Sequence, residues 1–189
     1  HGLERYEEAI EALDEAIELD PRDAAAWFNK GVSLHSLERF QEAIENYDKT
    51  LALDPRDAAA WFNKGVSLHN LERYEEAIAS YDKSIELDPR DTFGLYNKGV
   101  CLYSLNRFSE AIECFNTIHG LELWDPAVWF YKGLSFHNLA RFDEAITAFK
   151  KAQELDPEIP ANWLHCGMSL HSVKSYQDAV AAFDKAIEL

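Results

Sequence analysis

Histidine recurs at one interval in this sequence, and an imidazole is both a metal ligand and a general base. His35 and His69 lie 34 residues apart, and His137 and His171 continue the same phase. Packed helices lie about 10 Å apart, so neighbouring imidazoles of the row are too far apart for one metal ion to bind both. We therefore predict no metal site. We expect the histidines to line the wall of a groove, with titration at about pH 6–7 as the alternative.

Nucleophilic side chains lack partners at the spacing that catalysis needs. Ser33 and His35 are two residues apart, so on a helix their side chains point about 160° away from each other. Cys101, Cys114 and Cys166 have no basic neighbour in the sequence that would activate a thiol. No glycine-rich phosphate loop follows a strand pattern. The sequence thus predicts a protein that is not an enzyme and that uses no cofactor.

The composition narrows the class of partner. The 189 residues carry 18 Lys and Arg against 34 Asp and Glu, which gives a net charge of −16. Nucleic acids and anionic membranes require a basic surface, so neither is expected as a partner. Three cysteines at irregular spacing form no disulfide framework, which fits a reducing compartment, with the cytoplasm as the default. No apolar run approaches the roughly 18 residues of a membrane-spanning helix.

A repeat of 34 residues positions all of these side chains. Residues 23–56 and 57–90 are identical at 26 of 34 positions, and an alanine and usually an aromatic residue follow each glycine in the same phase. The glycines that mark the repeat are Gly31, Gly65, Gly99, Gly133 and Gly167. A fixed period of this size is the signature of a stacked-repeat protein.

The sequence pattern within each repeat predicts two helices. With the glycine at position 8, positions 1–14 form helix A, and the apolar stripe at positions 17–30 predicts helix B. An aspartate before helix A can cap its free N–H groups, proline is tolerated at the first helical position, and Asp-Pro ends helix B. The aspartates are Asp23, Asp57, Asp91 and Asp125, and the first-position prolines are Pro126 and Pro160. The small residues at positions 8 and 20 let the two helices approach closely.

This pattern resembles the tetratricopeptide repeat family, whose signature of W-x2-L-G, A-x3-F and a closing proline is met in most copies. Lysine replaces the family's leucine before the glycine, and its stem can pack there while the amine reaches solvent. The lysines are Lys30, Lys64, Lys98 and Lys132. The resemblance implies an all-α, right-handed superhelical solenoid of antiparallel helix pairs, about five and a half units long. Its A helices would line the concave side.

The expected organisation is one array over residues 1–189. It consists of a partial first repeat (1–22), repeats at 23–56, 57–90, 91–125 and 126–157, and a last repeat (158–189) without a capping helix. His1 falls at position 12, so the chain is expected to begin inside a helix A. Repeat arrays need polar end caps, so we expect either a piece of a longer array or ends that stack on other copies.

The face of helix A that points away from helix B is the predicted ligand surface. Positions 2, 5, 6, 9, 12 and 13 share that face of the helix. They combine an apolar stripe at positions 5 and 9 with amides and imidazoles, and they carry almost no fixed charge. The predicted peptide-binding residues are Asn29, Asn63, Asn97, Phe28, Val32, Phe62, Val66, Tyr96, Val100, Phe130, His35 and His69. The alternative is that positions 5 and 9 mainly pack against the neighbouring repeat.

The predicted function is a non-catalytic scaffold that binds a peptide or helix of a partner protein. An amide offers a donor and an acceptor, and the family's asparagine ladders imply backbone binding by Asn29, Asn63 and Asn97. The family's clamp for a chaperone carboxylate needs lysine at position 5, where this sequence has aromatic residues, so that partner is excluded. The alternative function is self-assembly into homo-oligomers through the ends of the array.

The repeat at 91–125 departs from the others. Gly120 falls inside the expected last turn of helix B, and Asp-Pro arrives three residues late. We predict that this helix ends near His119 or Gly120, as glycine commonly ends helices. Leu121, Leu123 and Trp124 would then form an irregular apolar connection. We favour local packing of Trp124 over a partner site.

Overall fold

The computed structural model describes the backbone of residues 2–120 and 125–189, and the side chains of residues 5–118 and 125–189. This part of the chain forms eleven α-helices and contains no strand, which confirms the all-α fold class. It divides into two compact units, His1–Cys101 and Leu102–Leu189. The helices are α1 (Gly2–Leu19), α2 (Ala24–Ser36), α3 (Phe40–Leu53), α4 (Ala58–Asn70), α5 (Tyr74–Leu87), α6 (Thr92–Ser104), α7 (Phe108–Gly120), α8 (Pro126–Asn138), α9 (Phe142–Leu155), α10 (Pro160–Ser172) and α11 (Tyr176–Glu188).

The helix pairs follow the predicted registers. Four A helices (α2, α4, α8 and α10) each pack on the B helix that follows them in the chain. The B helices α3 and α5 occupy positions 17–30 of their repeats, as predicted. The first helix differs, because α1 continues back to Gly2 where the sequence predicts the end of an A helix and a turn. Leucine, glutamate and arginine at residues 3–5 are strong helix formers, which favours this continuation.

Aspartate caps begin α2, α4, α6 and α8, as predicted. Asp23 Oδ1 accepts from the backbone N–H groups of Ala25 (2.9 Å) and Ala26 (3.1 Å). The corresponding carboxylates accept from the N–H groups of Ala60, Gly94 and Ala127 at 2.8–3.0 Å. Such a cap satisfies donors that have no partner inside the helix. Pro126 and Pro160 open α8 and α10, which confirms their predicted place.

A tryptophan at position 4 ties helix A to the turn before it. Its indole Nε1–H donates to the carbonyl oxygen of the proline that closes the preceding repeat. The three bonds are Trp27 to Pro21 (3.1 Å), Trp61 to Pro55 (3.0 Å) and Trp163 to Pro157 (2.8 Å). The tryptophan therefore fixes the angle at which one repeat enters the next, in addition to filling the space between its helices.

Helix A ends in a left-handed residue that is never glycine in the described part of the chain. In the first complete repeat, Glu38 has φ of 59°, and the N–H of Arg39 donates to the carbonyl of Leu34 (2.9 Å) while that of Glu38 donates to His35 (2.9 Å). This pair of bonds is the Schellman motif. The other residues with positive φ at this position are Glu72, Asn106, Ala140 and Lys174.

Glycine at position 8 permits the close approach of helices A and B, as predicted. A Cβ atom built on Gly31 would lie 2.6 Å from Cε1 of Tyr47, and one on Gly133 would lie 2.6 Å from Cε1 of Phe149. Both rings are fully buried, as is the alanine at position 20. The core of each hairpin therefore consists of an aromatic ring packed on bare helix backbone.

The irregular repeat ends its B helix where the sequence predicts, since α7 spans Phe108–Gly120. The predicted apolar connection at Leu121, Leu123 and Trp124 lies outside the described residues. The choice between packing and a partner site for Trp124 therefore stays a prediction.

Candidate functional site

The first unit carries most of the predicted ligand surface on α2, α4 and α6. We call this surface the A face. It consists of positions 5, 6, 9 and 12 of α2 and α4, together with positions 2, 5, 6 and 9 of α6. Its members are Phe28, Asn29, Val32 and His35 on α2, Phe62, Asn63, Val66 and His69 on α4, and Phe93, Tyr96, Asn97 and Val100 on α6. None of these side chains carries a fixed charge, although the whole chain has a net charge of −16.

The apolar stripe of the A face is half-buried and anchored on its own hairpins. The Phe28 ring lies 5.9 Å from the Tyr47 ring, and Phe62 lies 5.9 Å from Tyr81. Val32 is half-buried and packs with Phe28 on the core cluster around Tyr47. These contacts hold the rings at fixed positions and leave one part of each accessible.

Two asparagines of the row form hydrogen bonds to the backbone of their own helices. Asn63 Nδ2 donates to the carbonyl of Ala59 (2.8 Å), and Asn97 Nδ2 donates to the carbonyl of Phe93 (2.8 Å). Asn29 is exposed. An amide has two N–H donors and a carbonyl acceptor, so the bond to the helix orients the group while a second donor and the acceptor remain for a ligand.

Two of the histidines at position 12, His35 and His137, cross-link consecutive A helices. His35 Nδ1 lies 2.9 Å from Oγ of Ser67, and this hydroxyl donates to the Asn63 carbonyl (3.1 Å). The hydroxyl has one proton, so Ser67 accepts from the Nδ1–H of His35. The imidazole also packs against Phe40, with 5.1 Å between the ring centroids. Burial lowers the pKa of His35.

The same arrangement recurs in the second unit, where His137 Nδ1 lies 2.8 Å from Oγ of Ser169. His69 packs against Tyr74 at 5.6 Å, and burial lowers its pKa as well. The structure therefore gives His35 and His137 a structural role between helices, and the lining of a groove by the histidine row stays a prediction. Sequence inspection compared serine and histidine within one repeat and missed the pairs that join two repeats.

Phe93 is the member of the A face that the sequence prediction omitted. Its side chain is 70% exposed, and it lines a cavity of about 330 Å³ together with Phe62 and Ala59. The signal was present in the sequence, because position 2 is alanine in the other repeats and phenylalanine only here. Asp88 and Asp91 also line this cavity.

Phe130, a predicted ligand-binding residue, belongs to the second unit. Its ring lies 6.0 Å from Phe149 and 5.5 Å from the imidazole of His165. Tyr131 stands where the first unit has asparagine, so the amide row does not continue onto α8.

Neither a metal cluster nor an activated Cys101 or Cys166 thiol is found in the described residues. No group of three or more His, Cys, Asp or Glu side chains is placed to hold a metal ion there. Burial raises the pKa of the Cys101 thiol to about 12 and also raises that of Cys166. Both thiols are therefore unsuited to act as nucleophiles. In the same part of the chain, each helix is too short or too polar to cross a membrane.

Comparison with solved structures finds the same fold in other proteins. Residues 41 to the end of MamA from Desulfovibrio magneticus RS-1 match with a TM-score of 0.84 at 23% identity, covering 88% of this chain and 94% of that one. YrrB, described as a TPR protein with an unusual peptide-binding site, matches with a TM-score of 0.83 at 27% identity, covering 95% of this chain and 92% of that one. The MamA likeness shows the fold alone. The comparison with curated proteins found no match.

Family models described as tetratricopeptide repeat match most of the chain, between residues 2 and 159. The first matches residues 2–55 and 36–92, a second matches residues 94–118, and a third matches residues 126–159. These ranges contain the repeat's glycine and alanine in every copy but the last, whose Gly167 and Ala179 lie beyond residue 159. The chain belongs to the tetratricopeptide repeat family.

Proposed function

We propose that this chain is a non-catalytic interaction scaffold that binds a peptide or helix of a partner protein on the A face of its first unit. Its membership of the tetratricopeptide repeat family supports the coarser statement, a protein-interaction scaffold. YrrB, which has the same fold, carries a peptide-binding site by its description. The binding of a peptide at these particular residues is our proposal.

One observation carries the proposal: an uncharged strip of exposed and half-buried side chains lies on a strongly acidic molecule. Asn63 and Asn97 are oriented by their helices and retain hydrogen-bonding capacity. The cavity at Phe62 and Phe93 lies on the same two helices as these amides, α4 and α6. A peptide backbone bound by the amides would thus place a side chain in the cavity, as in other modes of peptide recognition.

The charge of the surroundings favours a basic ligand. Asp88 and Asp91 line the cavity, and the chain as a whole has a net charge of −16. Complementary charge speeds the encounter of two proteins and disfavours wrong partners. We therefore expect the bound segment to combine an apolar or aromatic side chain with lysine or arginine.

The experiment is selection of a phage-displayed library of random peptides on residues 1–189, followed by titration of the selected peptides against variants. Phe93→Ala gives this repeat the residue that the other repeats have at position 2, and the side chain is exposed, so folding should be unaffected. We expect it to weaken binding at least about tenfold, as loss of an aromatic anchor does. The pair Asn63→Ala and Val66→Asp should abolish binding.

The control is Ala52→Asp, which adds the same charge at an exposed place on α3 of the same unit. It should leave binding unchanged. Selected peptides that bind Phe93→Ala and the Asn63 and Val66 pair as tightly as the original chain would show that the A face is not the ligand surface.

A second candidate function is self-association, and one apolar patch favours it. Leu164 is 44% exposed and Ile187 is 82% exposed, and both line an apolar cavity of about 550 Å³ on α10 and α11. Light scattering over a range of protein concentrations tests it. Growth of the mass with concentration that Ile187→Asp removes would support self-association, whereas a constant monomer mass would exclude it.

A further inference from the structure

The lysine at position 7 of helix A is part of a recurring ion pair. In the first unit its ammonium contacts an aspartate sixteen residues earlier, on the preceding B helix. The three pairs are Lys30 with Asp14, Lys64 with Asp48 and Lys98 with Asp82. The last two have N···O distances of 2.5 Å. The sequence prediction placed this amine in solvent, whereas the structure joins it to the neighbouring repeat.

The fourth lysine of the series has lost its partner. Asn116 occupies the place of the aspartate on α7, sixteen residues before Lys132. Among the described residues, no carboxylate forms an ion pair with Lys132, whose Nζ lies 4.6 Å from the ring centroid of Trp129. Burial lowers the pKa of this amine, although the charge of Glu144 acts in the opposite direction. Glu144 itself is bound in a two-pronged pair by Arg141.

A second cross-link between repeats is absent at the same place. In the first unit, the arginine before helix B reaches back to the preceding B helix: Arg39 Nη1 lies 3.5 Å from Glu7 Oε2, and Arg73 Nη1 donates to Gln41 Oε1 at 3.0 Å. Ser109 stands at the corresponding position opposite Arg141. Its side chain ends one atom beyond Cβ, too short to make this link.

Loss of both links leaves an open cavity in the second unit. It has a volume of about 560 Å³ and extends from Trp129 and Lys132 on α8 to Ser109, Ile112 and Asn116 on α7. The corresponding cavity in the first unit is about 330 Å³ and is lined by α4 and α5, without any residue of α3. Two substitutions relative to the other repeats therefore coincide with one larger cavity, whose half-buried Lys132 has no carboxylate ion pair within the described part of the chain.

We propose that this cavity binds a carboxylate carried on a small apolar or aromatic group, with Lys132 as its counter-ion. The volume is in the range of small-molecule sites. The Asn116 amide can donate to the same carboxylate, and the Trp129 ring and Ile112 provide apolar contact for the rest of the ligand. The ligand carboxylate replaces the aspartate that the other repeats carry. This site lies in the second unit and is independent of the A face.

The remaining charges of the cavity favour a ligand with a single negative charge. Glu113 also lines the cavity, and the Arg141–Glu144 pair is neutral as a unit. A ligand with several negative charges would meet Glu113 and the acidic surface. A single carboxylate can come from a free aromatic acid or from an aspartate or glutamate side chain of a peptide, and these two sources share the same chemistry.

The test is NMR titration of the Trp129 indole N–H signal with phenylacetate, and with phenylacetamide as the uncharged control of equal shape. We expect phenylacetate to shift the signal with a dissociation constant of about 1 mM, which is typical of a ligand of about ten atoms. Phenylacetamide should bind at least about tenfold more weakly, because it lacks the charge-assisted hydrogen bond. A blocked peptide containing Phe-Asp, titrated in parallel, shows by its relative affinity whether a protein segment or a free acid is the better ligand.

Two variants separate the charge from the shape of the cavity. Lys132→Met keeps an unbranched apolar stem and removes the ammonium, and Asn116→Asp supplies the carboxylate found in the other repeats. Both should abolish the phenylacetate shift while the amide spectrum of the rest of the chain is unchanged. A shift that persists in Asn116→Asp, or equal shifts by phenylacetate and phenylacetamide, would overturn the proposal.

The first unit offers a test by gain of function. In the Lys132→Met background, Asp48→Asn and Gln41→Ser together remove the two links that close the corresponding cavity beside Trp61 and Lys64. We expect phenylacetate to shift the Trp61 indole signal in this variant and to leave it unchanged in the Lys132→Met background alone. If the new cavity gives no shift in a folded protein, the unpaired lysine is insufficient and the proposal fails.

Discussion

Single residues distinguish repeats that otherwise share one geometry. The aromatic residue at position 24 is fully buried in four repeats, where it is tyrosine at 47 and 81 and phenylalanine at 115 and 149. The hydroxyls of Tyr47 and Tyr81 have no hydrogen-bond partner, and burial raises their pKa. A buried polar atom without a partner reduces stability. The first two repeats therefore contain polar groups that later repeats have replaced by apolar ones.

Asn162 provides the sharpest prediction of this kind. It is 1% exposed, and neither its Nδ2 nor its Oδ1 has a hydrogen-bond partner. The same position holds Val128, which is 4% exposed, in the preceding repeat. We expect Asn162→Val to raise the free energy of unfolding by about 1–2 kcal/mol, because it removes two unsatisfied groups at a place that accepts valine. Urea unfolding followed by circular dichroism measures the change.

Thr50→Val is the control for that experiment. Thr50 is fully buried, but its hydroxyl donates to the Asn46 carbonyl at 3.1 Å. Removing a satisfied hydroxyl should give no comparable gain. A loss of stability in Asn162→Val would show that the amide is paired in solution.

The sequence predicted residues that repeat at one period and missed those that act between repeats. Gly31 and its counterparts recur in every copy, so their packing against helix B followed from the pattern alone. The bond from His35 to Ser67 depends on how far consecutive A helices are rotated relative to each other, and no single repeat contains that angle. Phe93 and Asn116 were visible as departures from the pattern, but only the structure shows the cavities that they line.

At the scale of helices, the termini were predicted well where a side chain makes the cap and poorly where the backbone does. Asp23 and Asp57 cap α2 and α4 through carboxylates that can be read from the sequence. The C-terminal end of each A helix depends on a left-handed residue, for which glycine is the usual sequence signal. The residue is glutamate, asparagine, alanine or lysine here. Helix α1 continues to Gly2, where the repeat pattern predicts a turn, so the start of this helix was also not predictable from the local pattern.

The left-handed alanine between α8 and α9 gives a prediction at this scale. Ala140 has φ of 57°, a region that costs a residue with a Cβ atom about 1–2 kcal/mol and costs glycine almost nothing. We expect Ala140→Gly to raise the stability of the chain by up to about 1 kcal/mol, since the greater freedom of glycine in the unfolded chain offsets part of the gain. Thermal unfolding measures it.

Ala148→Gly is the matched control, because it makes the same change inside α9. It should destabilise the protein, through lower helix propensity and lost packing of a buried methyl group. Equal effects of the two substitutions would show that the left-handed turn stores no strain.

At the scale of the whole molecule, the stability of the fold depends on pH in two ranges, one set by carboxylates and one set by histidines. Arginine and lysine partners lower the pKa of several exposed glutamates, among them Glu42, Glu76 and Glu144. These groups contribute stability above their ordinary pKa of 4.5, and it is lost as the pH falls through the lower values of the folded state. The histidines act in a higher range, because burial lowers the pKa of His35, His69 and His137 from the ordinary value of 6.5.

The histidines therefore make stability depend on pH above the range of the carboxylates. Since the pKa of these histidines is lower in the folded chain, the unfolded chain binds more protons, and stability rises with pH. The contribution is complete above about pH 7, where both states are neutral, and it is lost as the pH falls below 6.5. We expect the urea midpoint to decrease steadily between about pH 7 and pH 5. Combined His35→Gln, His69→Gln and His137→Gln should flatten this decrease, because glutamine does not titrate, and at positions 35 and 137 it can still donate to the serine of the next repeat.

The exposed His171 provides the matched comparison, since His171→Gln also removes an imidazole but not a buried one. The triple variant should flatten the curve far more than this single exposed change. If both variants keep the slope of the original chain, the imidazoles between the A helices do not control the pH response. The cross-links would then be equally strong with protonated histidine, and the hydrogen bond from Nδ1–H to serine, which survives protonation, would outweigh the cost of burying the charge.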